Sequence, residues 1–117
     1  MSTDGKRLWN AAKPPTQIWP RLIMAPNGLR LARETLLVTH EIDTFAPLSF
    51  DDVKGQLVEV YDGITGKVNL TAPASPILDG GGNVSISPSA RRVAILDAGA
   101  IQVYELPAPS SGLPSAQ

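Results

Sequence analysis

The residues best suited to metal or acid–base chemistry surround the single histidine, in Thr39-His40-Glu41-Ile42-Asp43. On a strand, the side chain of His40 would point to one face and those of Glu41 and Asp43 to the other. A metal site needs three or four converging ligands, and the sequence suggests no others for this cluster. We therefore expect a solvated edge or loop here, with no metal and no other cofactor.

Three further arrangements could in principle do chemistry. The segment Asp79-Gly80-Gly81-Gly82-Asn83 precedes a strand-like run, whereas a phosphate-binding loop needs a following helix and a Lys-Ser/Thr pair. A serine nucleophile acting with His40 would be expected in a Gly-x-Ser-x-Gly elbow, which is absent, and there is no cysteine. The charged pairs Asp51-Asp52 and Arg91-Arg92 are typical of solvated turns. We therefore expect no catalytic residue in this chain, and so no enzyme activity of its own.

Composition limits the partners as well as the size of the fold. The chain has 117 residues, 43% of them hydrophobic, which suits one modest folded domain. A formal net charge of −1 argues against nucleic acid or an anionic membrane as the partner. No apolar run approaches the roughly 20 residues that span a bilayer, and no apolar stretch follows Lys6-Arg7 as in a secretory signal. These features assign no compartment.

The elements that must position any functional residue are short β-strands. Eleven prolines and ten glycines interrupt the chain too often for long helices. Alternating or β-branched runs predict strands within residues 21–25, 29–33, 36–42, 56–62, 67–71, 84–87, 92–96 and 100–106. Turn signals such as Pro26-Asn27-Gly28 separate them. The pattern predicts an all-β fold of antiparallel sheets.

Three regions follow from this pattern. Residues 1–20 are expected to form an irregular arm anchored by Trp9 and Trp19, residues 21–106 the β-rich body, and residues 107–117 a disordered Pro/Ser-rich tail. An irregular insertion at about residues 43–55 interrupts the body. Because long irregular segments in compact folds are often functional, Phe50 and Asp51 in this insertion are the candidate binding residues.

The body contains an internal repeat. Pro26 and Pro88, each between two strand-like runs, are 62 residues apart, whereas the Val-Tyr-acid triplets at Val60 and Val103 are 43 apart. The insertion in the first copy accounts for the difference. A period of about 40 to 45 residues is typical of the four-stranded blades of propellers.

The same segments resemble a known family. Residues 87–96, SPSARRVAIL, resemble the Ser-Pro-Asp-Gly-Lys-x-Leu-Ala hairpin of β-propeller repeats. Residues 60–67, VYDGITGK, resemble the Val-Tyr-Asp-x-x-Thr-Gly-Lys ending shared by WD-repeat and related bacterial propeller proteins. No Trp-Asp dipeptide is present and Ala90 replaces the usual turn glycine, so the strict WD-repeat pattern is not matched. The resemblance implies propeller-like blades that bind protein or peptide partners.

The chain has material for only two blades, whereas propellers close with about four to eight. Two blades would leave apolar faces open. The chain could be the C-terminal piece of a longer propeller, could associate with copies of itself or another chain, or could fold as a small β-sandwich; we expect the first. An alternative function is then open: a fragment of the propeller domain of a larger bacterial enzyme, peptidase or dehydrogenase-like, with its catalytic residues outside this chain.

Overall fold

The computed structural model describes residues 5–41, 50–76 and 82–110, apart from the side chain of Phe50. These ranges form seven β-strands and one short 3-10 helix, Phe50–Asp52. Every strand pair is antiparallel. The all-β fold of antiparallel sheets predicted from the sequence is therefore confirmed.

Four consecutive strands form the first sheet in chain order: β1 (Gln17–Met24), β2 (Arg30–Val38), β3 (Val53–Asp62) and β4 (Val68–Ala74). The sheet tolerates a proline within β4 because β4 is an edge strand. Pro73 pairs with Leu57 on β3. Because no strand lies on the other edge of β4 within the described residues, no hydrogen bond there needs the N–H that proline lacks. β3 begins at Val53, so strand structure reaches into the end of the predicted insertion.

Three strands form the second sheet, again in chain order: β5 (Val84–Ile86), β6 (Arg92–Asp97) and β7 (Ala100–Glu105). β6 lies at the centre, with β5 and β7 on either side. In the part of the chain that the structure describes, no strand pairs with the outer edge of β7. Within the described residues, the second sheet therefore has one strand fewer than the first.

The two sheets pack face to face over one small core. We call the facing sides the inner faces and the opposite sides the outer faces. The buried core comprises Ala25, Ala32, Val58, Val60, Ala72 and Ala74 from the first half of the chain and Val84, Ile86, Ala90, Val93, Ile95 and Leu106 from the second. The core residues from the first half of the chain are all alanine or valine, and such small side chains allow two sheets to approach closely. Each fully buried valine or isoleucine contributes about 1.5–3 kcal/mol.

β1 starts earlier than its sequence pattern predicts. Strand structure begins at Gln17, within the range expected to be an irregular arm. Pro20 has no N–H to give to the ladder, and the pairing with β2 shifts register between Ile18 and Arg21. Trp19, inside this bulge, takes a φ of 52° and is exposed. The bulge allows the strand to pass through a proline that the sequence pattern treats as an end point.

The turn that precedes β2 has the same hydrogen bonds as the turn that precedes β6. The amide of Ala25 donates to the carbonyl of Arg30 over 2.9 Å, and Gly28 donates to Ala25 over 2.8 Å. Sixty-two residues later, Ser87 donates to Arg92 over 2.9 Å and Ala90 to Ser87 over 2.9 Å.

A left-handed residue closes each of these turns. Gly28 has a φ of 75° and Ala90 a φ of 63°, so alanine adopts the conformation that glycine adopts in the other copy.

The strands that follow are paired in the same register in both halves. Met24 is opposite Leu31, and the residues 62 positions later, Ile86 and Val93, are also opposite each other. Leu31 pairs with Tyr61, and Val93 pairs with Tyr104, which lies 43 positions after Tyr61. Strands β5, β6 and β7 therefore correspond residue by residue to residues 22–24, 30–35 and 57–62 of the first sheet.

Arg30 joins the two halves. Its side chain is fully buried, and its Nε donates to the carbonyl of Ala90 over 3.1 Å. Its terminal nitrogens donate to Asn69 Oδ1 and to the carbonyl of Pro107. Burial lowers the pKa of Arg30, an effect that the charge of Asp62 opposes.

The segment after β7 is held against the first sheet. Besides the bond from Arg30 to Pro107, the amide of Ser110 donates to Asp62 Oδ2 over 2.8 Å. The first residues of the predicted disordered tail thus have defined partners, whereas residues 111–117 lie outside the described ranges.

Candidate protein-binding site

The outer face of the first sheet carries an apolar row that crosses all four strands. Pairing places Met24, Leu31, Tyr61 and Val68 side by side, one from each strand. Leu22, two residues before Met24, points to the same face. The side chains of Leu22 and Met24 are 64% and 60% exposed. Val68 is also exposed, whereas Leu31 is half-buried and Tyr61 is buried, so the exposed apolar side chains lie on the two edge strands, β1 and β4. Exposed apolar side chains grouped on one face mark a binding surface, whereas isolated ones are ordinary.

The N-terminal arm covers part of this face through Trp9. Its ring stacks on Tyr61 with centroids 5.5 Å apart and planes inclined by 27°. The indole Nε1 donates to the carbonyl of Gly63 over 3.0 Å. A Cβ on Gly66, which has a φ of 76°, would lie 2.6 Å from the Trp9 ring. The β3–β4 turn therefore needs glycine at position 66 both for its backbone conformation and for the seat of Trp9.

Arg33 and Glu59 form the polar part of the site. The Arg33 guanidinium lies 3.0 Å from Glu59 Oε1, donates to the Tyr61 hydroxyl over 2.7 Å and donates to the carbonyl of Ala11 over 3.0 Å. Its carbon lies 5.4 Å from the Tyr61 ring centroid. These contacts bind the arm to the sheet and fix the position of the Arg33 guanidinium.

The surroundings of the Tyr61 hydroxyl favour its neutral form. Burial raises the pKa of Tyr61, and the charge and hydrogen bond of Glu59 raise it further, whereas Arg33 acts in the opposite direction. Tyr61 therefore remains a neutral hydrogen-bonding group.

A cavity of about 420 Å³ lies between the arm and the sheet. Its lining comprises Trp9, Ala11, Lys13, Pro20, Leu22, Leu31, Arg33 and Tyr61. The walls are aromatic and aliphatic, and Lys13 and Arg33 supply positive charge. Pockets of this size and character accept apolar side chains, with a few polar groups to orient them.

The candidate binding residues from the sequence lie elsewhere. Phe50 and Asp51 belong to the 3-10 helix that leads into β3, and Asp51 is not among the residues that line the cavity. Asp51 is exposed, and the side chain of Phe50 is outside the description. Residues 43–49 of the predicted insertion also lie outside the described ranges. A binding role for these two residues stays a prediction.

The histidine cluster is an exposed contact between a strand end and the 3-10 helix. His40 Nε2 lies 3.0 Å from Asp52 Oδ1, and its Nδ1 lies 3.0 Å from the carbonyl of Glu41. Those two contacts, the backbone one first, raise the pKa of His40. Asp43 lies outside the described residues. Within the described ranges, no three His, Asp or Glu side chains are placed to share a metal ion.

The polyglycine connector is described only at its end. Residues 77–81 lie outside the described ranges, whereas Asn83 is buried and donates to the carbonyl of Pro76 over 2.7 Å. Asn83 Oδ1 also lies 3.4 Å from Gln56 Nε2. Asn83 therefore has a structural role in joining the sheets.

The sequence pattern missed the site because it depends on a contact across more than fifty residues. Trp9 was expected only to anchor the arm, and nothing local to it indicates Tyr61 as its partner. One available signal was the alternation Leu29-Arg30-Leu31-Ala32-Arg33, which places Leu31 and Arg33 on one face.

Comparison with protein-family models, with curated proteins and with solved structures found no match to this chain. A search of the described residues found no helix with the length and apolar character needed to cross a membrane.

Proposed function

We propose that this chain is a non-catalytic, propeller-like repeat unit that binds a protein or peptide partner and so serves as a scaffold. The observation that carries the proposal is the outer face of the first sheet. There the exposed side chains of Leu22 and Met24 lie beside a cavity whose lining includes Trp9 and Tyr61. Aromatic and arginine side chains grouped beside exposed apolar surface are typical of the centres of protein interfaces.

The repeat supports the propeller-like part of the proposal. The Pro turns at 26 and 88 have equivalent hydrogen bonds, and the three strands around each have equivalent registers. Consecutive, antiparallel, face-to-face sheets of this kind are how blades are built. Because one fold serves many functions, the support for partner binding comes from the residues of the site and not from the fold.

Selection from a random-peptide display library tests the proposal. The wild-type chain serves as bait, and its matched control is the first-face variant, Leu22→Asp with Met24→Asp. Both side chains are exposed, so the substitutions should leave unfolding unchanged. We expect peptides with apolar anchors to be enriched on the wild type and to bind the variant at least about tenfold more weakly, because the apolar contact is lost. Equal binding of the selected peptides to both proteins would show that Leu22 and Met24 do not belong to the binding site.

A second variant tests the insertion. Phe50→Ala with Asp51→Ala should weaken the selected peptides only if the 3-10 helix belongs to the same binding surface. Titration calorimetry with the wild type and the two double variants compares the two regions directly. Unchanged affinity in the Phe50/Asp51 variant would remove the insertion from the proposal and leave the outer face in place.

A further inference from the structure

The residue-by-residue correspondence of the two sheets also relates their faces. The inner face of the first sheet carries Ala32, Val58 and Val60, all fully buried under the second sheet. Their repeat equivalents are Ala94, Ile101 and Val103. These lie on the outer face of the second sheet, where Ile101 is 74% and Val103 63% exposed. The second sheet therefore repeats, on its open side, the apolar surface that the first sheet buries.

The converse holds for the other pair of faces. Val84, Ile86 and Val93 are buried on the inner face of the second sheet. Their equivalents, 62 positions earlier, are Leu22, Met24 and Leu31 on the outer face of the first sheet. All three positions are apolar in both copies, and in the first copy Leu22 and Met24 are exposed while Leu31 is half-buried. Each open face thus matches the chemistry of a face that already has a partner within the chain.

The position of β5 in the chain indicates where a second copy would dock. β5 packs against β1 and β2 on the inner face of the first sheet. The equivalent place on the open side of the second sheet is the outer surface of β5 and β6. A hollow of about 290 Å³ lies there, lined in part by Ser85, Ala94, Leu96 and Ile101. The strand equivalent to β5 is β1, which bears the exposed Leu22 and Met24.

The N-terminal arm makes its ring and guanidinium contacts with the two central strands of the sheet, although Leu22 of β1, the docking strand, also lines the cavity beside the arm. Trp9 and the carbonyl of Ala11 contact Tyr61 and Arg33, which belong to β3 and β2. The side chains of Leu22 and Met24 on β1 remain more than half exposed beside the arm.

One specific hydrogen bond follows from the same correspondence. Within the chain, Arg30 donates to the carbonyl of Ala90 across the sheet interface. The equivalents of these two residues are Arg92, which is exposed, and Gly28. Arg92 of one copy is therefore placed to donate to the carbonyl of Gly28 in the next.

We propose that copies of this chain associate head to tail, the outer face of the first sheet of one copy packing on the outer face of the second sheet of the next. This inference rests on the proposed function and names its partner as a second copy. The interface is heterologous, because each copy contributes a different face. Association therefore continues beyond a dimer, to a closed ring or an open chain.

Mixing two blocked variants tests this arrangement. The first-face variant loses the docking strand, and a second-face variant, Ile101→Asp with Val103→Asp, loses the receiving surface. In sedimentation velocity, the wild type should form species larger than a dimer as concentration rises, and each variant alone should be monomeric. An equimolar mixture should give a dimer and nothing larger, because it has one intact pair of faces. Circular dichroism confirms that both variants are folded.

Other outcomes overturn the inference. A dimer formed by either variant alone shows that one face pairs with itself, and a monomeric wild type shows that a second copy is not the partner. If selected peptides still bind the first face of a monomeric wild type, the proposed function stands and only the second-copy inference fails.

A milder substitution gives an independent readout. Arg92→Ala should weaken wild-type association by about tenfold or more, the usual value of one hydrogen bond made by a charged group. Lys54→Ala, which removes another exposed cation from the chain, is the control and should leave association unchanged. Equal effects of the two substitutions would contradict the assigned bond.

Discussion

Glu34 is the residue whose environment differs most from what its type requires. Its side chain is 3% exposed on the inner face of β2, and among the described residues neither carboxylate oxygen has a hydrogen-bond partner. Burial raises the pKa of Glu34, and the charge of Arg21 only partly opposes this. The repeat equivalent of Glu34 is Leu96. The second copy thus carries an apolar residue where the first carries a buried acid.

Replacing Glu34 with its repeat equivalent should stabilise the fold. Because the pKa is raised in the folded state, the contribution of the protonated Glu34 to stability is complete only below the unfolded value near 4.5. That contribution is lost as pH rises through the folded pKa. Glu34→Leu should therefore raise the free energy of unfolding at pH 7 by about 1–3 kcal/mol, with a smaller gain at pH 4, as measured in urea.

Glu105→Gln, at an exposed position, is the control and should change stability little at either pH. A Glu34→Leu variant that is less stable than the wild type at pH 7 would show that the carboxylate has a favourable partner.

Asp62 is also a buried acid, but its pKa is lowered where that of Glu34 is raised. Burial alone would raise its pKa, but hydrogen bonds from the amides of Ser110, Thr65 and Ile64 outweigh burial and lower the pKa to about 2. The carboxylate therefore caps the β3–β4 turn and binds the segment after β7.

Asp62→Asn should lower the free energy of unfolding at pH 7 by about 1–2 kcal/mol, because its amide group cannot accept every bond that the carboxylate accepts. The contribution of the carboxylate is complete above the unfolded pKa near 3.8 and is lost as pH falls towards 2. Thermal unfolding of both proteins should show the difference narrowing over that interval. A constant difference down to pH 2 would contradict the assignment.

At the scale of elements, the two Pro turns need a left-handed residue at their last position. Gly28→Ala should lower stability by about 1–2 kcal/mol, because the φ of 75° strains a residue with a Cβ. The added Cβ meets nothing within 4 Å, so strain is the only cost. Ala90→Gly is the matched change in the other turn.

Ala90→Gly relieves the same strain but loses a buried methyl worth about 0.8 kcal/mol, so its net effect should be small. Chemical denaturation of both variants makes the comparison. A Gly28→Ala variant as stable as the wild type would mean that this turn is not left-handed.

Local sequence patterns predicted where the strands lie more accurately than they predicted how deeply the strands are buried. Pro26-Asn27-Gly28 and the alternation after it correctly indicate the β1–β2 hairpin, because turn chemistry and period are local properties. The same alternation suggests a half-buried strand, yet β2 is buried on both faces, with Arg30 and Arg33 among its buried residues. The second sheet covers one side and the N-terminal arm the other. Neither covering is visible in a short window of sequence.

At the scale of the molecule, the internal repeat was the most informative sequence feature. Its two spacings, 62 and 43 residues, are the offsets that relate the turns and registers of the two sheets. The candidate site was less accessible from sequence, because Trp9 reaches Tyr61 only after the arm packs on the first sheet. The open apolar faces were expected from the small number of repeats and are now assigned to particular residues.

The apolar outer face of the second sheet depends on the register of β6 with β7, since a shift of one residue would turn every side chain of β7 to the opposite face. Solution NMR measures that register through cross-strand contacts. The repeat predicts that Ala94 lies opposite Val103, as Ala32 lies opposite Val60, with Ile101 and Val103 on the outer face. Contacts pairing Ala94 with Gln102 or Tyr104 would place Ile101 and Val103 in the core and contradict the account.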